Sequence, residues 1–268
     1  MQRLYPPPGS HGTRPDAPDR AAADGGEGLG TTLGLADAYA YPPRAAGPCL
    51  RANMVSSLDG AARAEGRSAP LSSAADMRIF GVLRALADVV LVGAETVRQE
   101  GYRPAKARPA FAARRAADGQ PPAPAIAVVS RSLDLDFSAP LFTAPVTPTL
   151  VLTGAACAER ELAAARAAGA EVVIAGEGDG VDPVRAVREL TGRGFVQLLH
   201  EGGPRILAQF AAAGVLDELC LTLAPLITGG DAPRIMNGPG VPGPARFVPL
   251  SVLEEDGFLF MRYGRGPA

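Results

Sequence analysis

Short apolar runs alternate with helical periodicities along most of the chain, and that alternation predicts its elements. Leu50–Val55, Val89–Val92, Ala125–Val129, Thr149–Leu152, Val172–Ala175, Val196–His200 and Glu218–Leu223 read as strands. Several are apolar throughout, as strands buried on both faces of a parallel sheet are. Between them, apolar residues spaced three and four apart predict helices. Ser72 or Ser73 caps one that runs to Ala87, with Met77, Phe80, Leu83, Leu86 and Ala87 on one face. Gly93-Ala94-Glu95-Thr96-Val97 opens a short helix, Gly169 closes Glu159–Ala168, Asp182-Pro183 starts one reaching about Thr191, and Pro204–Ala213 follows. Residues 101–123 and 229–246 read as loops, the first rich in Arg, Ala and Pro, the second in Gly and Pro. Val248–Glu254 and Phe258–Tyr263 flank Glu255-Asp256-Gly257, a hairpin turn. Alternating strands and helices that end in a hairpin predict an α/β fold whose sheet is mostly parallel with an antiparallel end.

Ahead of this body, residues 1–30 are rich in Pro, Gly, Asp and Ala and read as a mobile tail. Residues 31–49 read as an extended segment, with Leu33, Leu35, Tyr39 and Tyr41 lying against the domain that spans residues 50–265. With 268 residues, 47% hydrophobic and 20% charged, the chain can bury a sizeable core. A formal net charge of −2 offers no basic surface for nucleic acid. No apolar stretch approaches the roughly 18–20 residues of a membrane span, and the first residues lack the basic-then-apolar pattern of a leader, so the cytoplasm is the expected compartment. Cys49, Cys157 and Cys220 are scattered, which argues against a disulfide framework or a metal site. Cys220 lies in an apolar strand pattern and reads as core. Of the two histidines, His11 falls in the tail, so a Ser-His-Asp triad has only His200 to draw on.

Chemistry concentrates where strands end. After Leu198-Leu199-His200 come Glu201-Gly202-Gly203-Pro204, and then a helical pattern begins. Glycines let a ligand approach the backbone, Pro204 suits a first helical turn, and the free N–H groups there attract an anion. Glu201 sits at the carboxyl end of its strand, where open α/β sheets place ligands. The strand at Asn53 runs into Ser56-Ser57-Leu58-Asp59-Gly60, which places hydroxyls and a carboxylate on a loop, although Asp-Gly is also a common turn. Gly93 to Thr96 is a third strand end with small and hydroxyl residues. Gly176-Glu177-Gly178-Asp179-Gly180 lacks the spacing of a dinucleotide fingerprint and no helix follows at once.

These motifs occur in one fixed order: Ser57-Leu58-Asp59-Gly60, Leu83-Arg84-Ala85, Gly93-x-x-Thr96-Val97, Glu201-Gly202-Gly203-Pro204, Asp217-Glu218, and Pro225 with Gly229-Gly230. Over about residues 50–263 the chain resembles the pyrimidine reductase family of riboflavin biosynthesis, the C-terminal domain of the bifunctional deaminase–reductase (RibD). Leu50-Arg51-Ala52-Asn53, Leu86-Ala87-Asp88-Val89, Gly101-Tyr102 and Val215–Thr222 are similar to a stand-alone actinobacterial subgroup, one member of which reduces dihydrofolate. The zinc signature of the deaminase half is absent.

The resemblance implies a dihydrofolate-reductase-like three-layer α/β/α fold, NADPH as cofactor, and a homodimer. It implies that Val55, Gly93, Thr96, Glu100, Ser130, Arg131 and Thr153, with Gly202, Gly203, Pro204, Arg205, Ile206 and Leu207, contact NADPH. Arg131 is suited to the 2′-phosphate because its fork pairs with phosphate oxygens. Ser57, Ser68, Arg84, Tyr102 and Arg103 correspond to substrate contacts, and Asp59 and Glu201 are the candidate catalytic acids. The expected activity is like that of a 5-amino-6-(5-phosphoribosylamino)uracil reductase, on a ribosylaminopyrimidine phosphate, with dihydrofolate or another pterin as the alternative and NADPH binding without turnover as a third. An unpaired edge on the C-terminal hairpin is the expected route to the dimer.

Overall fold

Val89–Gly93, Ala125–Val129 and Leu150–Thr153 are buried at every residue, which requires protein on both faces of each strand. In the computed structural model, which describes residues 1–6 and 28–267, helices pack on both faces of one sheet. In chain order the strands are β1 (Gln2–Tyr5), β2 (Cys49–Ser56), β3 (Val89–Gly93), β4 (Ala125–Val129), β5 (Leu150–Thr153), β6 (Glu171–Ile174), β7 (Gln197–His200), β8 (Glu218–Leu223), β9 (Phe247–Glu255) and β10 (Phe258–Arg265). The helices are α1 (Thr32–Ala38), α2 (Ala74–Leu86), α3 (Ala94–Glu100), α4 (Ala112–Ala117), α5 (Pro140–Thr143), α6 (Glu159–Ala167), α7 (Pro183–Gly192) and α8 (Pro204–Ala212).

The sheet runs β1-β9-β10-β8-β2-β7-β3-β4-β5-β6. From β8 to β6 every pair is parallel, while β8, β10, β9 and β1 pair antiparallel. The mostly parallel sheet with an antiparallel end is therefore as the alternation predicted. One layer joins Leu35 of α1 and Ile79, Val82, Leu83 and Leu86 of α2 to Val90, Val92, Leu199 and Phe260 of the sheet. The other joins Ala186 and Leu190 of α7 and Leu207 and Phe210 of α8 to Leu50, Leu91 and Leu198.

The N-terminal expectations need correction. Residues 2–5 pair with β9, Gln2 opposite Glu254, so the tail begins as a strand, while residues 7–27 of it lie outside the described region. Residues 31–49 are not extended throughout: Thr31 caps α1, its hydroxyl accepting the Gly34 N–H at 3.0 Å. Leu35 and Ala36 of that helix are buried.

The arginine-rich loop at 101–123 contains α4, where buried Arg115 donates to the carbonyls of Ala85 and Ala87 at 2.9 and 2.8 Å and ties the loop to the end of α2. Arg51, fully buried in β2, pairs with Glu218 at 2.7 Å, and Arg262 of β10 reaches the same carboxylate at 2.8 Å. Burial resists the Glu218 charge, but the two guanidinium groups prevail and hold its carboxyl below the usual range. Both arginines also donate to carbonyls between Ala38 and Ala40, which fastens the segment after α1 to the sheet.

Candidate active site

Helix α2 has a core face and a cleft face, and the expected single apolar face mixes them. Leu83 and Leu86 enter the core, but Met77 is 53% exposed and Ala87 ends the helix. Ser72, just before the helix, and Asp76, Phe80 and Arg84 recur every four residues and form one stripe. That stripe lines a cleft of about 490 Å³. The facing walls are Asn53, Met54 and Val55 of β2, Thr96 and Glu100 to Arg103 around α3, and Glu201 to Pro204 between β7 and α8. The carboxyl ends of β2, β3 and β7 are adjacent in the sheet, which is why these segments meet.

Glu201 lies in the cleft wall with its side chain 2% exposed. Arg84 Nε and Nη2 donate to its two oxygens at 2.7 and 2.6 Å, and the Tyr102 hydroxyl adds a bond of 2.6 Å. The Arg84 guanidinium also lies 4.4 Å from the Phe80 ring centroid and 5.1 Å from that of Tyr102. Burial alone would lower the Arg84 pKa, but the Glu201 charge and its hydrogen bonds outweigh this and raise it. Burial first, then the Glu201 charge, pushes Tyr102 well above the usual phenol value. These groups form a neutralised cluster, so Glu201 does not present an uncompensated charge to the cleft.

The turn after Glu201 is built by close backbone approach. Gly202 adopts φ 91°, a conformation that favours glycine, and the Gly202–Gly203 peptide is cis. A Cβ on Gly203 would stand 2.8 Å from the Thr96 hydroxyl. Gly202 O accepts the Gly93 N–H at 2.9 Å, and His200 Nδ1 accepts the Gly202 N–H at 3.0 Å. His200 is wholly buried against Phe210, which lowers its pKa to about 3, and its Nε2 lacks a partner. It holds the turn and is not the base of a triad.

Of the residues expected in the site, Val55, Ser68, Arg84, Thr96, Glu100, Tyr102, Arg103, Glu201, Gly202, Gly203 and Pro204 line the cleft. Ser68 donates its hydroxyl and amide to Glu100 at 3.1 and 3.2 Å. Asp59 is not in the lining. It is exposed on the β2 loop, where its carboxylate accepts bonds from the Ser57 hydroxyl and from the Thr228 and Gly229 amides at 3.2 and 2.7 Å. Those three donors hold its pKa down at about 2. Asp59 and buried Ser57 thus clasp the loop after β8, and the convergence of strand ends does not carry this carboxylate to the cleft wall.

Leu207 is buried in the core and its amide makes the first bond of the α8 ladder, to Gly203 O at 3.0 Å. The amides free for a ligand therefore stop at Arg205 and Ile206, because Pro204 has none. Gly93 starts α3 behind the turn. Ser130 and Thr153 hold the turn that carries Arg131: the Ser130 hydroxyl accepts the Leu133 N–H at 3.0 Å, and the Thr153 hydroxyl donates to Arg131 O at 3.3 Å. Arg131 itself is exposed and sits 3.6 Å from Asp179. It follows β4, two strands along from β7, a separation of roughly 10 Å.

The sequence reading missed Asn53, Met54, Arg63, Ser72, Asp76, Met77, Phe80, Lys106 and Arg108, all in the lining. The four-residue recurrence of Ser72, Asp76, Phe80 and Arg84 is the signal that would have found half of the α2 wall.

The RibD C-terminal domain family matches residues 48–256. The chain belongs to that family. A protein of Aquifex aeolicus named 2,5-diamino-6-ribosylamino-4(3H)-pyrimidinone 5′-phosphate reductase is 31% identical over 159 residues, which is 59% of this chain and 66% of that one. A protein of the same name from Archaeoglobus fulgidus is 26% identical over 220 residues, 81% of this chain and 99% of the other. The crystal structure of a pyrimidine reductase-like protein from Corynebacterium diphtheriae matches with a TM-score of 0.76 at 28% identity, covering 89% of this chain and 100% of that one. The three-layer architecture implied by the resemblance is the RibD C-terminal fold observed here.

Proposed function

We propose that this RibD C-terminal domain is an NADPH-dependent reductase of a ribosylaminopyrimidine phosphate. The observation that carries this is one cleft joining a nucleotide-sized backbone cradle to a cationic rim. On the cradle side, Thr96 Oγ1 is buried with no partner, beside a Gly202–Gly203 backbone free of side chains and the open amides of Arg205 and Ile206. An orphaned hydroxyl and free N–H groups suit the diphosphate of a dinucleotide. Arg131, along the strand ends, suits a 2′-phosphate. Arg63, Arg103, Lys106 and Arg108 also line the cleft, and a sugar phosphate satisfies such a set.

NADPH, when bound, supplies the hydride for reduction of a carbon–nitrogen double bond at C1′ of the opened ribosylamine, and the nitrogen takes a proton. The protein positions the reactants and excludes water. Arg84, Tyr102 and Glu201 fix the cleft wall as a rigid unit, and Asp59 positions the loop after β8. The same cleft admits a pterin, so dihydrofolate is the comparison substrate. NADPH oxidation followed by absorbance tests the reading: the ribosylaminopyrimidine phosphate should turn over at least roughly tenfold more efficiently than dihydrofolate. Faster turnover of dihydrofolate would replace the pyrimidine assignment, and no oxidation with either would leave only cofactor binding.

A two-fold homodimer in the cytoplasm completes the proposal. β1 covers the hairpin edge only along Val252–Glu254, so the edge expected to carry it is partly capped. The supporting surface is a sheet face instead. Leu221, Met261 and Val252 stand side by side across three strands, next to Leu223 and Leu259, and all are only half-buried. On the opposite face of the same strands Cys220, Phe260 and Leu253 are in the core. Among the described residues no helix is long and apolar enough to cross a membrane.

A further inference from the structure

The glycine-rich run Gly176-Glu177-Gly178-Asp179-Gly180 follows β6 and takes no part in the cleft wall. It is nevertheless folded tightly. The Ala155 N–H donates to Gly176 O at 2.8 Å and the Ala156 N–H to Gly178 O at 3.0 Å, which binds the run to the segment after β5. A Cβ on Gly154 would overlap the Gly178 carbonyl, and one on Gly176 would overlap that of Gly180, so glycine at both places lets the backbones close. The Asp182 N–H, donating to Ala175 O at 2.7 Å, shuts the base of the loop. A run without the spacing of a dinucleotide fingerprint thus carries Asp179 to a defined place.

That place is beside Arg131. Arg131 follows β4 and Asp179 follows β6, so the two side chains reach toward each other across the end of β5. Asp179 Oδ2 lies 3.6 Å from Arg131 Nε, an ion pair too long for a hydrogen bond, with side chains 67% and 73% exposed. So wide and exposed a pair adds little to stability. It leaves the Arg131 Nη groups open to a phosphate and the Asp179 oxygens open to hydroxyls.

NADH and NADPH differ only at the 2′ position of the adenosine ribose. A carboxylate there accepts the hydroxyl and repels the phosphate, and a guanidinium favours the phosphate. We propose that Asp179 is a specificity-determining residue: its carboxylate accepts the 2′-hydroxyl of NADH and opposes the 2′-phosphate of NADPH, which narrows the preference that Arg131 sets. This rests on the reading of the cleft as a nicotinamide-cofactor site and adds a residue that tunes which cofactor it takes. Arg131 alone makes a strict NADPH site, whereas with Asp179 beside it NADPH stays preferred and NADH stays usable.

Equilibrium titration, followed by the fluorescence of the bound reduced nicotinamide, measures both dissociation constants without turnover. Asp179→Asn should tighten NADPH roughly three- to fivefold and weaken NADH by a similar factor, so that their ratio moves about tenfold or more. Glu177→Gln removes the same charge from the same loop, has no ion pair with Arg131 to break, and should shift either constant by less than about 1.5-fold. Equal shifts for the two cofactors, no shift in Asp179→Asn, or the same shifts from Glu177→Gln overturn the role of Asp179 and leave the reductase reading standing. Opposed shifts in Asp179→Asn alone, with no NADPH oxidation on either candidate substrate, keep the role and remove the reductase reading. Binding of neither dinucleotide overturns both.

Discussion

The Arg84–Glu201 pair should behave as a unit, and a double-mutant cycle measures how strongly. Its charges meet through bonds of 2.7 and 2.6 Å, with the Glu201 side chain 2% exposed and that of Arg84 20% exposed. Unit charges about 4 Å apart attract by roughly 4 kcal/mol at an effective dielectric of about 20. The exposed part of Arg84 discounts this to a coupling of about 2–3 kcal/mol. Glu201→Gln leaves a guanidinium with half its acceptors, and Arg84→Gln leaves a nearly buried carboxylate with only Tyr102. Each should destabilise by about 2–4 kcal/mol. The double variant replaces ion by amide on both sides and should cost about as much as one single change. Urea unfolding of the four proteins gives the coupling directly. Additivity within about 0.5 kcal/mol would show that the pair is not coupled and that the neutralised cluster is a misreading. Turnover provides a second readout: each single change should lower kcat at least roughly tenfold, about 1.4 kcal/mol, while leaving NADPH affinity nearly unchanged.

Arg131→Ala should raise the NADPH dissociation constant roughly tenfold or more and leave that of NADH alone; equal affinities of the parent protein for the two cofactors would remove the 2′-phosphate role. His200 has a folded pKa lowered to about 3 by burial, so below its unfolded value of 6.5 the unfolded chain binds the extra proton and stability falls with pH. The slope should approach about 1.4 kcal/mol per pH unit between pH 6 and 4, and His200→Phe should flatten it in denaturation curves while raising the NADPH KM through the released Gly202 amide. Asp59, depressed from 3.8 to about 2, should hold the Thr228–Gly229 loop fully above about pH 4 and release it as pH falls toward 2. Hydrogen exchange at Gly229 reports this, and Asp59→Asn should abolish the acid step. Met261→Glu on the half-buried sheet face should yield a monomer by light scattering, and an unchanged mass would place any dimer contact elsewhere.

The strands and most helices were legible because apolar runs and caps are local signals. Asp182 before Pro183 and Ser73 before Ala74 both cap as expected. Helix α4 was hidden because its buried residue is Arg115, an arginine satisfied by carbonyls from α2 rather than an apolar side chain. Strand β1 was hidden because its partner lies at the far end of the chain. In the site, Glu201 and the glycine turn were readable from the strand-to-helix sequence. The partners of Glu201 were not, since Arg84 is 117 residues away and Tyr102 is 99 away. Asp59 lies at its strand end as read, but its partners Thr228 and Gly229 were not readable, since a strand end fixes where a loop starts and not which groups its carboxylate meets. Asp76 was overlooked because, read alone, an acid in a first helical turn is explained by the helix dipole.

The placement of β2 has a consequence for biosynthesis. It lies between β7 and β8, which are encoded about 150 and 170 residues later, and β1 waits still longer for Glu254. At roughly 5–20 residues per second, β2 is left without neighbours for about 10–30 s as the chain is made. Strands β3 to β6 meet neighbours close in sequence and can assemble first. The half of the sheet that carries the cleft floor therefore closes last, with Leu50, Ala52, Met54 and Val55 exposed on the nascent chain until then. Ribosome-bound chains stopped before His200 should hold a protected β3–β6 unit beside an open, chaperone-accessible β2, and gain the capacity to bind nucleotide only after the final quarter has emerged.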